Sequence, residues 1–140
     1  MDKFMLANTL CLKYLNALNK SNLNEVLELF TEDAEIDSPL YGIKEANVFY
    51  KELFSDTNES KTTLLHFFEN SDTNDSIALH FEYVWTLSDG EVVKFECVDV
   101  FYLNENKDKF KKMKIIYDTS LVINQFNSSK ENSSTVTNSH

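Results

Sequence analysis

The sequence predicts an α+β domain in which three N-terminal helices pack against a curved, mostly antiparallel sheet. Up to about residue 55 the apolar residues recur at helical spacing, whereas beyond about residue 61 they largely alternate with polar residues. The two longest alternating segments are separated by Ser88, Asp89 and Gly90, a sequence typical of a hairpin turn. Helices that cover one face of such a sheet leave space for an aromatic-lined cavity between the two layers.

Composition limits the partners that this chain can have. Its 140 residues, 42% of them hydrophobic, suffice for one domain with a real core. The net charge is -10 and every basic residue is a lysine, so the chain repels phosphate backbones and anionic lipid surfaces. We therefore expect no nucleic-acid partner and no membrane partner. The sequence contains no signal-peptide pattern and no membrane-spanning run, which predicts a cytoplasmic protein.

The potential metal ligands are scattered along the sequence. Cys11 and Cys97 lie far apart, and the three histidines follow no spacing typical of a metal site. We expect both thiols to be reduced and buried. The sequence accordingly predicts neither a metal ion nor an organic cofactor.

The N-terminal part is predicted to form two helices and a strand. Residues 3–19 form the first helix, because Tyr14 and Leu18 recur on one face. Asn22 is a candidate N-cap for a short second helix. The alternation over residues 34–38 predicts the first strand, which the following proline ends.

A turn, a third helix and a second strand are predicted next. Gly42 can adopt the positive φ that a turn requires. Residues 43–55 show helical spacing, residues 56–60 are predicted as a loop, and residues 61–69 have the composition of a strand.

The clearest signal in the chain is a long hairpin at residues 77–87 and 93–103. Nearly all odd-numbered residues in both segments are apolar, and a three-residue turn that ends in glycine keeps odd positions opposite odd positions. This register is strongly specified, because a shift by one residue would expose the core face. The predicted pairs are Leu79 with Asp99, Phe81 with Cys97, and Tyr83 with Phe95.

The C-terminal part is predicted to contain one more strand and then a tail. Residues 110–118 alternate and form the final strand. From residue 124 the chain is polar and shows no periodicity, so it offers little apolar surface to offset its ordering entropy. We therefore predict a folded domain at residues 1–123 and a disordered polar tail at residues 124–140.

Four segments resemble a known family. YLNALNKSNL at 14–23, LFTEDA at 29–34, DVFYLN at 99–104 and IIYD at 115–118 are similar to the opening helices and closing strands of SnoaL-like and ketosteroid-isomerase-like proteins, members of the nuclear transport factor 2 superfamily. The resemblance covers about residues 7–121 and implies a cone-shaped, cystatin-like α+β barrel. It is less specific for activity, because this scaffold hosts isomerases, cyclases, dehydratases, hydrolases and binding modules.

The resemblance also implies catalytic roles. Tyr14 matches the tyrosine that donates a hydrogen bond to a developing enolate, and Asp99 matches the neutral carboxylic acid that donates a second one. In the isomerases the general base directly precedes the proline. Here that position holds Ser38, and Asp37 lies one residue earlier, where a regular strand points it to the opposite face unless a bulge re-aims it.

Further residues are expected to line a ligand cavity. The histidines and tyrosines of dehydratase-like relatives make His66 a candidate, because it shares a predicted strand face with Leu64 and Phe68. The complete set of expected binding residues is Ser38, Tyr41, Phe54, His66, Phe81, Trp85, Phe95, Cys97 and Tyr117.

Three functional hypotheses remain open at this point. The first is an isomerase- or cyclase-type enzyme that stabilises an enolate of a small apolar carbonyl compound through Tyr14 and Asp99. The second is a protein that binds a small hydrophobic molecule without turnover, and the third is a dimerisation module. Ser38 in the position of the base favours the second and third hypotheses. We also expect a homodimer through the outward face of the sheet, which carries Val84, Val98, Val100 and Tyr102 among charged residues.

Overall fold

The structure is a computed structural model that describes the backbone of residues 3–138 and the side chains of residues 7–132. Four helices, six strands and one short 3-10 turn follow one another in these residues. In chain order they are α1 (Lys3–Asn19), α2 (Leu23–Leu27), β1 (Phe30–Ser38), β2 (Gly42–Glu45), α3 (Ala46–Ser55), β3 (Thr57–Glu69), β4 (Ser76–Leu87), β5 (Val92–Leu103), β6 (Phe110–Ile116), the 3-10 turn (Thr119–Leu121) and α4 (Ile123–Asn138).

The six strands form one sheet in the order β2-β1-β6-β5-β4-β3. Strands β1 and β6 are parallel, and the other neighbouring pairs are antiparallel. The predicted α+β class, with a cone-shaped and mostly antiparallel sheet, is confirmed. The sheet does not close into a complete barrel, because β2 and β3 remain its two edges.

The long hairpin has the predicted register. Leu79 lies opposite Asp99, Phe81 opposite Cys97, and Tyr83 opposite Phe95. The turn between the strands works as expected, since Gly90 has a φ of 93° and its amide donates to the carbonyl of Leu87. Every odd-numbered residue of β4 is buried, so this strand contributes one whole face to the core.

The first helices also agree with the sequence. Helix α1 has the predicted bounds and buries Cys11, Tyr14 and Leu18. Asn22 caps α2, because its side-chain oxygen accepts a hydrogen bond from the amide of Glu25 at 3.1 Å.

The predicted third helix begins three residues too early. Residues 42–45 form the edge strand β2, in which Ile43 pairs with Asp37 of β1 and is 64% exposed. The helix begins at Ala46 and buries Phe49, Tyr50 and Leu53. A four-residue strand is too short to show a period of its own, so its apolar residue was assigned to the helical pattern.

Strand β3 differs from the prediction in its length and in its faces. It begins at Thr57 within the predicted loop. Its pairing with β4 shifts between Leu64 and His66, which leaves Leu65 as an extra residue. Beyond this bulge every side chain points to the opposite face from the one that simple alternation predicts.

The predicted disordered tail is wrong for the part that the structure describes. Residues 123–138 form α4, and Phe126 and Ser129 are buried against the domain. One aromatic ring and a few polar contacts hold α4 against the domain. The helix therefore has no continuous apolar stripe, which is the signal that a sequence pattern needs. Residues 139 and 140 of the predicted tail lie outside the described residues. Of the helices in residues 3–138, none is long and apolar enough to cross a membrane.

Candidate functional site

A cavity lies between the helices and the inner face of the sheet. The space open to the centre of a water-sized sphere is about 40 Å³. This is well below the roughly 150 Å³ of a cavity known to hold a benzene ring, so the cavity as it stands has room for a few waters, and a ring enters only if side chains of the wall move. Its walls are Tyr14, Leu18, Ser38, Tyr41, Phe49, Leu53, Phe81, Tyr83, Trp85, Phe95, Cys97, Asp99, Ile115 and Tyr117.

The cavity approaches the surface at one side. Of its lining residues, Tyr41, Ile115 and Tyr117 are half-buried, whereas the others are buried. These three residues therefore mark the mouth. The interior is largely aromatic, with Phe95 packed on Tyr117 at a centroid distance of 4.7 Å.

Tyr14 reaches the cavity from α1 and is 1% exposed. Its hydroxyl lies 2.8 Å from the hydroxyl of Tyr50, which in turn lies 3.4 Å from the sulfur of Met113. Burial raises the pKa of Tyr14 well above its usual value, and the neighbouring Tyr50 and Asp99 raise it further. Tyr14 is therefore neutral and can act as a hydrogen-bond donor.

Asp99 reaches the same cavity from β5 and is 2% exposed. Its Oδ1 accepts a hydrogen bond from the thiol of Cys97 at 3.2 Å. Burial raises the pKa of Asp99 from its ordinary 3.8 to about 7, although the Cys97 contact acts in the opposite direction. A large fraction of the Asp99 carboxyl groups is therefore protonated near neutral pH. Burial also raises the pKa of Cys97, and Asp99 adds to this effect, so the thiol is a poor nucleophile.

The structure places Ser38 and Asp37 on opposite sides of β1. Ser38 is buried and lines the cavity, and its Oγ accepts a hydrogen bond from the amide of Tyr41 at 3.2 Å. Asp37 lies outside the cavity, with its carboxylate 3.7 Å from Nζ of Lys114. The strand is regular at this point, so no bulge turns Asp37 toward the cavity, which a role as general base would require. Among the described residues, Asp99 is the one carboxyl that lines the cavity.

Two other expected residues lie elsewhere. Phe54 packs on the ring of Tyr50 at 5.8 Å but does not line the cavity, because α3 presents Phe49 and Leu53 to it instead. His66 is exposed on the outer face, because the bulge pairs it with His80 rather than with Leu79.

His66 and His80 form a polar chain on the outer face with Glu96. The Nδ1 atoms of the two rings are 2.9 Å apart, and Nε2 of His80 is 2.9 Å from a carboxylate oxygen of Glu96. The ring planes differ by 8° and the centroids are 5.2 Å apart, so the two rings meet edge to edge. These contacts give both histidines hydrogen-bond partners on the outer face, away from the cavity.

The structure brings together Tyr14, Ser38, Tyr41, Phe81, Trp85, Phe95, Cys97, Asp99 and Tyr117 of the residues that the sequence singled out. Sequence reasoning did not name Leu18, Phe49, Leu53, Tyr83 and Ile115 as site residues. For Tyr83 the signal was present, since it alternates with Phe81 and Trp85 on the same strand face. In the described residues no group of three or more histidine, cysteine or acidic side chains could hold a metal ion.

The chain was compared with known proteins. The family model of the SnoaL-like domain matches residues 12–111. No curated protein matches the chain significantly.

Solved structures share the fold at low sequence identity. BvnE pinacolase from Penicillium brevicompactum has a TM-score of 0.78 at 11% identity, over 95% of this chain and 99% of that one. A putative isomerase from Bacillus subtilis has a TM-score of 0.77 at 14% identity, over 91% and 96% of the two chains. The epoxide hydrolase/cyclase-like enzyme SalBIII, which acts in pyran ring formation in salinomycin, has a TM-score of 0.70 at 20% identity, over 82% and 92%. At these identities the similarity establishes the fold alone.

Proposed function

The chain belongs to the SnoaL-like family, and from this premise we propose that it binds a small, largely apolar molecule with one oxygen acceptor in the cavity between Tyr14 and Asp99. The observation that carries the proposal is the pairing of two donors in one apolar cavity. Tyr14 is neutral, and Asp99 has a pKa of about 7. Donors in a dry site favour an acceptor that carries partial negative charge.

The contacts of Tyr14 allow it to turn its proton toward a ligand. If Tyr50 donates to the sulfur of Met113, Tyr14 donates to Tyr50 and its own proton is engaged. If Tyr50 rotates and donates to Tyr14, the Tyr14 proton becomes free for a ligand oxygen. The rotation gives up only an O–H···S bond, because thioether sulfur is a weak acceptor.

The size of the cavity restricts the ligand. The cavity has room for a few waters as it stands, so a monocyclic compound suits it best, because one ring requires the least movement of the half-buried side chains at the mouth. The walls offer mostly aromatic faces, so a planar molecule makes the best contacts. A small phenol or cyclic enone has this shape and chemistry.

The pKa of Asp99 also favours a second candidate function, which is turnover of isomerase or cyclase type. A carboxyl that titrates near neutral pH can stabilise an enolate as a donor. Fold neighbours described as a pinacolase, a putative isomerase and a cyclase-like enzyme make this class of chemistry a reasonable extension. The position of Ser38 leaves proton abstraction without the usual base, so binding without turnover is our primary proposal.

A series of phenols of similar shape and increasing acidity tests the proposal. At about pH 5.5, where Asp99 is mostly protonated, affinity should rise with the acidity of the phenol. Tyr14→Phe and Asp99→Leu should each weaken binding by about 1–3 kcal/mol, the range for losing a hydrogen bond to a charged partner. Asp99→Asn should cost less, because an amide still donates. Isothermal titration calorimetry measures all of these affinities.

Tyr83→Phe is a matched control for Tyr14→Phe. The Tyr83 ring lines the cavity, but its hydroxyl lies 2.8 Å from Oγ of Ser60, outside the lining residues. Loss of the Tyr83 hydroxyl should leave the dependence of affinity on phenol acidity unchanged. An affinity that is flat across the series and indifferent to Tyr14→Phe and Asp99→Leu would contradict the proposal.

A further inference from the structure

Helix α4 packs beside the mouth of the cavity. The ring of Phe126 makes edge contacts with Tyr41 at a centroid distance of 5.4 Å and lies 6.0 Å from Trp85. Both of these residues line the cavity, and Tyr41 is one of the three that mark its mouth. Phe126 is itself 8% exposed, so it closes the outer side of the wall that Tyr41 and Trp85 form.

An ion-pair cluster fixes α4 next to this ring. Nζ of Lys130 lies 2.8 Å from a carboxylate oxygen of Asp56 and 3.5 Å from one of Glu52. The same ammonium lies 5.8 Å from the Tyr41 ring centroid, and the Tyr41 hydroxyl donates to Asp56 at 2.7 Å. Lys130 and Tyr41 therefore share one carboxylate, so movement of α4 changes the surroundings of a cavity-lining residue.

The sequence of α4 makes it a weak helix. Ten of its sixteen residues are Asn, Ser or Thr, which are among the poorer helix formers. Its described side chains include one buried apolar group, that of Phe126. A helix of low propensity with so few buried contacts belongs to the parts of a protein that open locally at low cost.

The rest of the cavity wall is much harder to open. Apart from Tyr117, which directly follows β6, the other lining residues lie on α1, α3 and the sheet, whose side chains form one continuous core. Opening there would break strand pairing or core packing, whereas release of α4 breaks, among the side chains that the structure describes, the contacts of Phe126, Ser129, Lys130 and Asn132.

We propose that α4 is the gate of the cavity and that Phe126 is the residue that sets the size of ligand admitted. This inference rests on the proposed binding function and deepens it. With α4 docked, the small cavity admits at most a single ring, through movement of the side chains at its mouth. When α4 releases, Tyr41 is freed from Phe126 and Lys130, and the wall between Tyr41 and Trp85 can open to admit a bicyclic phenol.

A reversible disulfide tests the gate within one protein. The Oγ atoms of Ser88 and Ser129 lie 3.2 Å apart across the contact between the hairpin turn and α4. Cysteines at both positions, Ser88→Cys with Ser129→Cys, should cross-link on oxidation, because their side chains already meet. Cys11 and Cys97 are buried and should not compete. The reduced form of the same protein is the matched control.

The readout is the association rate of 2-naphthol, followed by stopped-flow fluorescence of Trp85, the one tryptophan of the chain. The oxidised protein should bind 2-naphthol about tenfold more slowly than the reduced protein, since the state that admits the ligand becomes rare. Phe126→Ala should accelerate binding and improve the affinity for 2-naphthol relative to phenol. Leu121→Ala removes an exposed side chain just before α4 and should change neither quantity.

The outcomes separate the gate from the proposed function. If 2-naphthol binds at the same rate in the oxidised and reduced proteins, and Phe126→Ala behaves like Leu121→Ala, the gate is overturned while the binding function stands. If the disulfide does not form, the comparison of Phe126→Ala with Leu121→Ala decides alone. If neither phenol nor 2-naphthol binds any of these proteins, the proposed function fails and the gate fails with it.

Discussion

The carboxyl of Asp99 lies on the inward face of β5, between Cys97 and Phe101 in the alternation of the strand. That position was predictable from the sequence, because the hairpin register depends on a turn length and on a run of alternating residues. Burial raises the pKa of Asp99, in line with the neutral carboxylic acid that the family resemblance implies at this position. The partner of Tyr14 could not be predicted, because Tyr50 lies 36 positions away on a helix whose start was misplaced.

The raised pKa of Asp99 predicts a specific dependence of stability on pH. The unfolded chain releases this proton near pH 4 and the folded protein near pH 7, so the folded state binds more protons between these values. The free energy of unfolding should therefore fall as the pH rises through this window, by up to about 4 kcal/mol from this group. Below this window Asp99 causes no loss of stability, and above it the loss is complete.

Urea unfolding of the wild type and of Asp99→Asn at several pH values measures this effect. The variant keeps the shape of the side chain but cannot titrate, so the difference between the two proteins isolates Asp99 from the other carboxylates. Parallel curves from about pH 4 to pH 8 would show that Asp99 is ionised in the folded protein.

The hydrogen-bond chain from Tyr14 through Tyr50 to Met113 predicts different effects for substitutions at its second and third members. Tyr50→Phe removes the group that must donate to Tyr14 when Tyr14 donates to a ligand, so phenol affinity should fall by about 0.5–1.5 kcal/mol. Met113→Leu removes the competing sulfur acceptor, so affinity should hold or rise. Calorimetry at fixed pH measures both variants. Equal losses of phenol affinity in the two variants would indicate a packing effect and not a change in this hydrogen-bond chain.

At the scale of elements, long periodic segments were predicted well and local irregularities were not. The hairpin of β4 and β5 is twelve residues on each side, and a register error would expose its whole core face. The bulge at Leu65 has no such signature, because one extra residue leaves the composition of β3 unchanged. It moved His66 from the predicted cavity to the outer face.

Helix α4 shows a second limit of sequence patterns. Its position depends on long-range contacts of Phe126 and Lys130 with residues of α3, its C-cap, β4 and the turn before β2. A pattern within sixteen mostly polar residues cannot reveal contacts that are made by two side chains. Helix propensity alone would predict disorder here.

The contacts of α4 predict that its removal destabilises the domain. A chain that ends at Val122 loses the buried ring of Phe126, worth about 1.5–3 kcal/mol, and is relieved of the cost of ordering the helix. We expect a net loss of about 1–2 kcal/mol in the free energy of unfolding. A chain that ends at Asn132 keeps Phe126 and Lys130 and should retain most of this stability. Identical urea midpoints for the Val122 chain and the full chain would show that α4 does not dock.

At the scale of the whole molecule, the outer face of the sheet predicts a symmetric dimer. Val84, Val98 and Val100 are half-buried there, and Tyr102 is exposed, among the charged pair of Lys94 and Glu82. A face with apolar residues between charges of both signs suits a two-fold contact. Because each chain has a net charge of -10, added salt should strengthen the dimer.

Sedimentation equilibrium at micromolar concentration measures the mass in solution. Val98→Glu should dissociate the dimer because it buries an unpaired charge at the contact. An exposed position away from this face, such as Leu121→Ala, provides the control. The mass of a single chain for the wild type at high salt would rule out this interface.

The central claim is that Asp99 is a buried, protonated donor that meets an oxygen acceptor in the cavity. The most direct test follows the side-chain carboxyl carbon of Asp99 by NMR as a function of pH, with Asp99→Asn to assign the signal. We predict a midpoint near pH 7 in the free protein and a higher midpoint when phenol is present, because the ligand oxygen favours the neutral carboxyl. A midpoint near pH 4 that phenol does not move would contradict the claim.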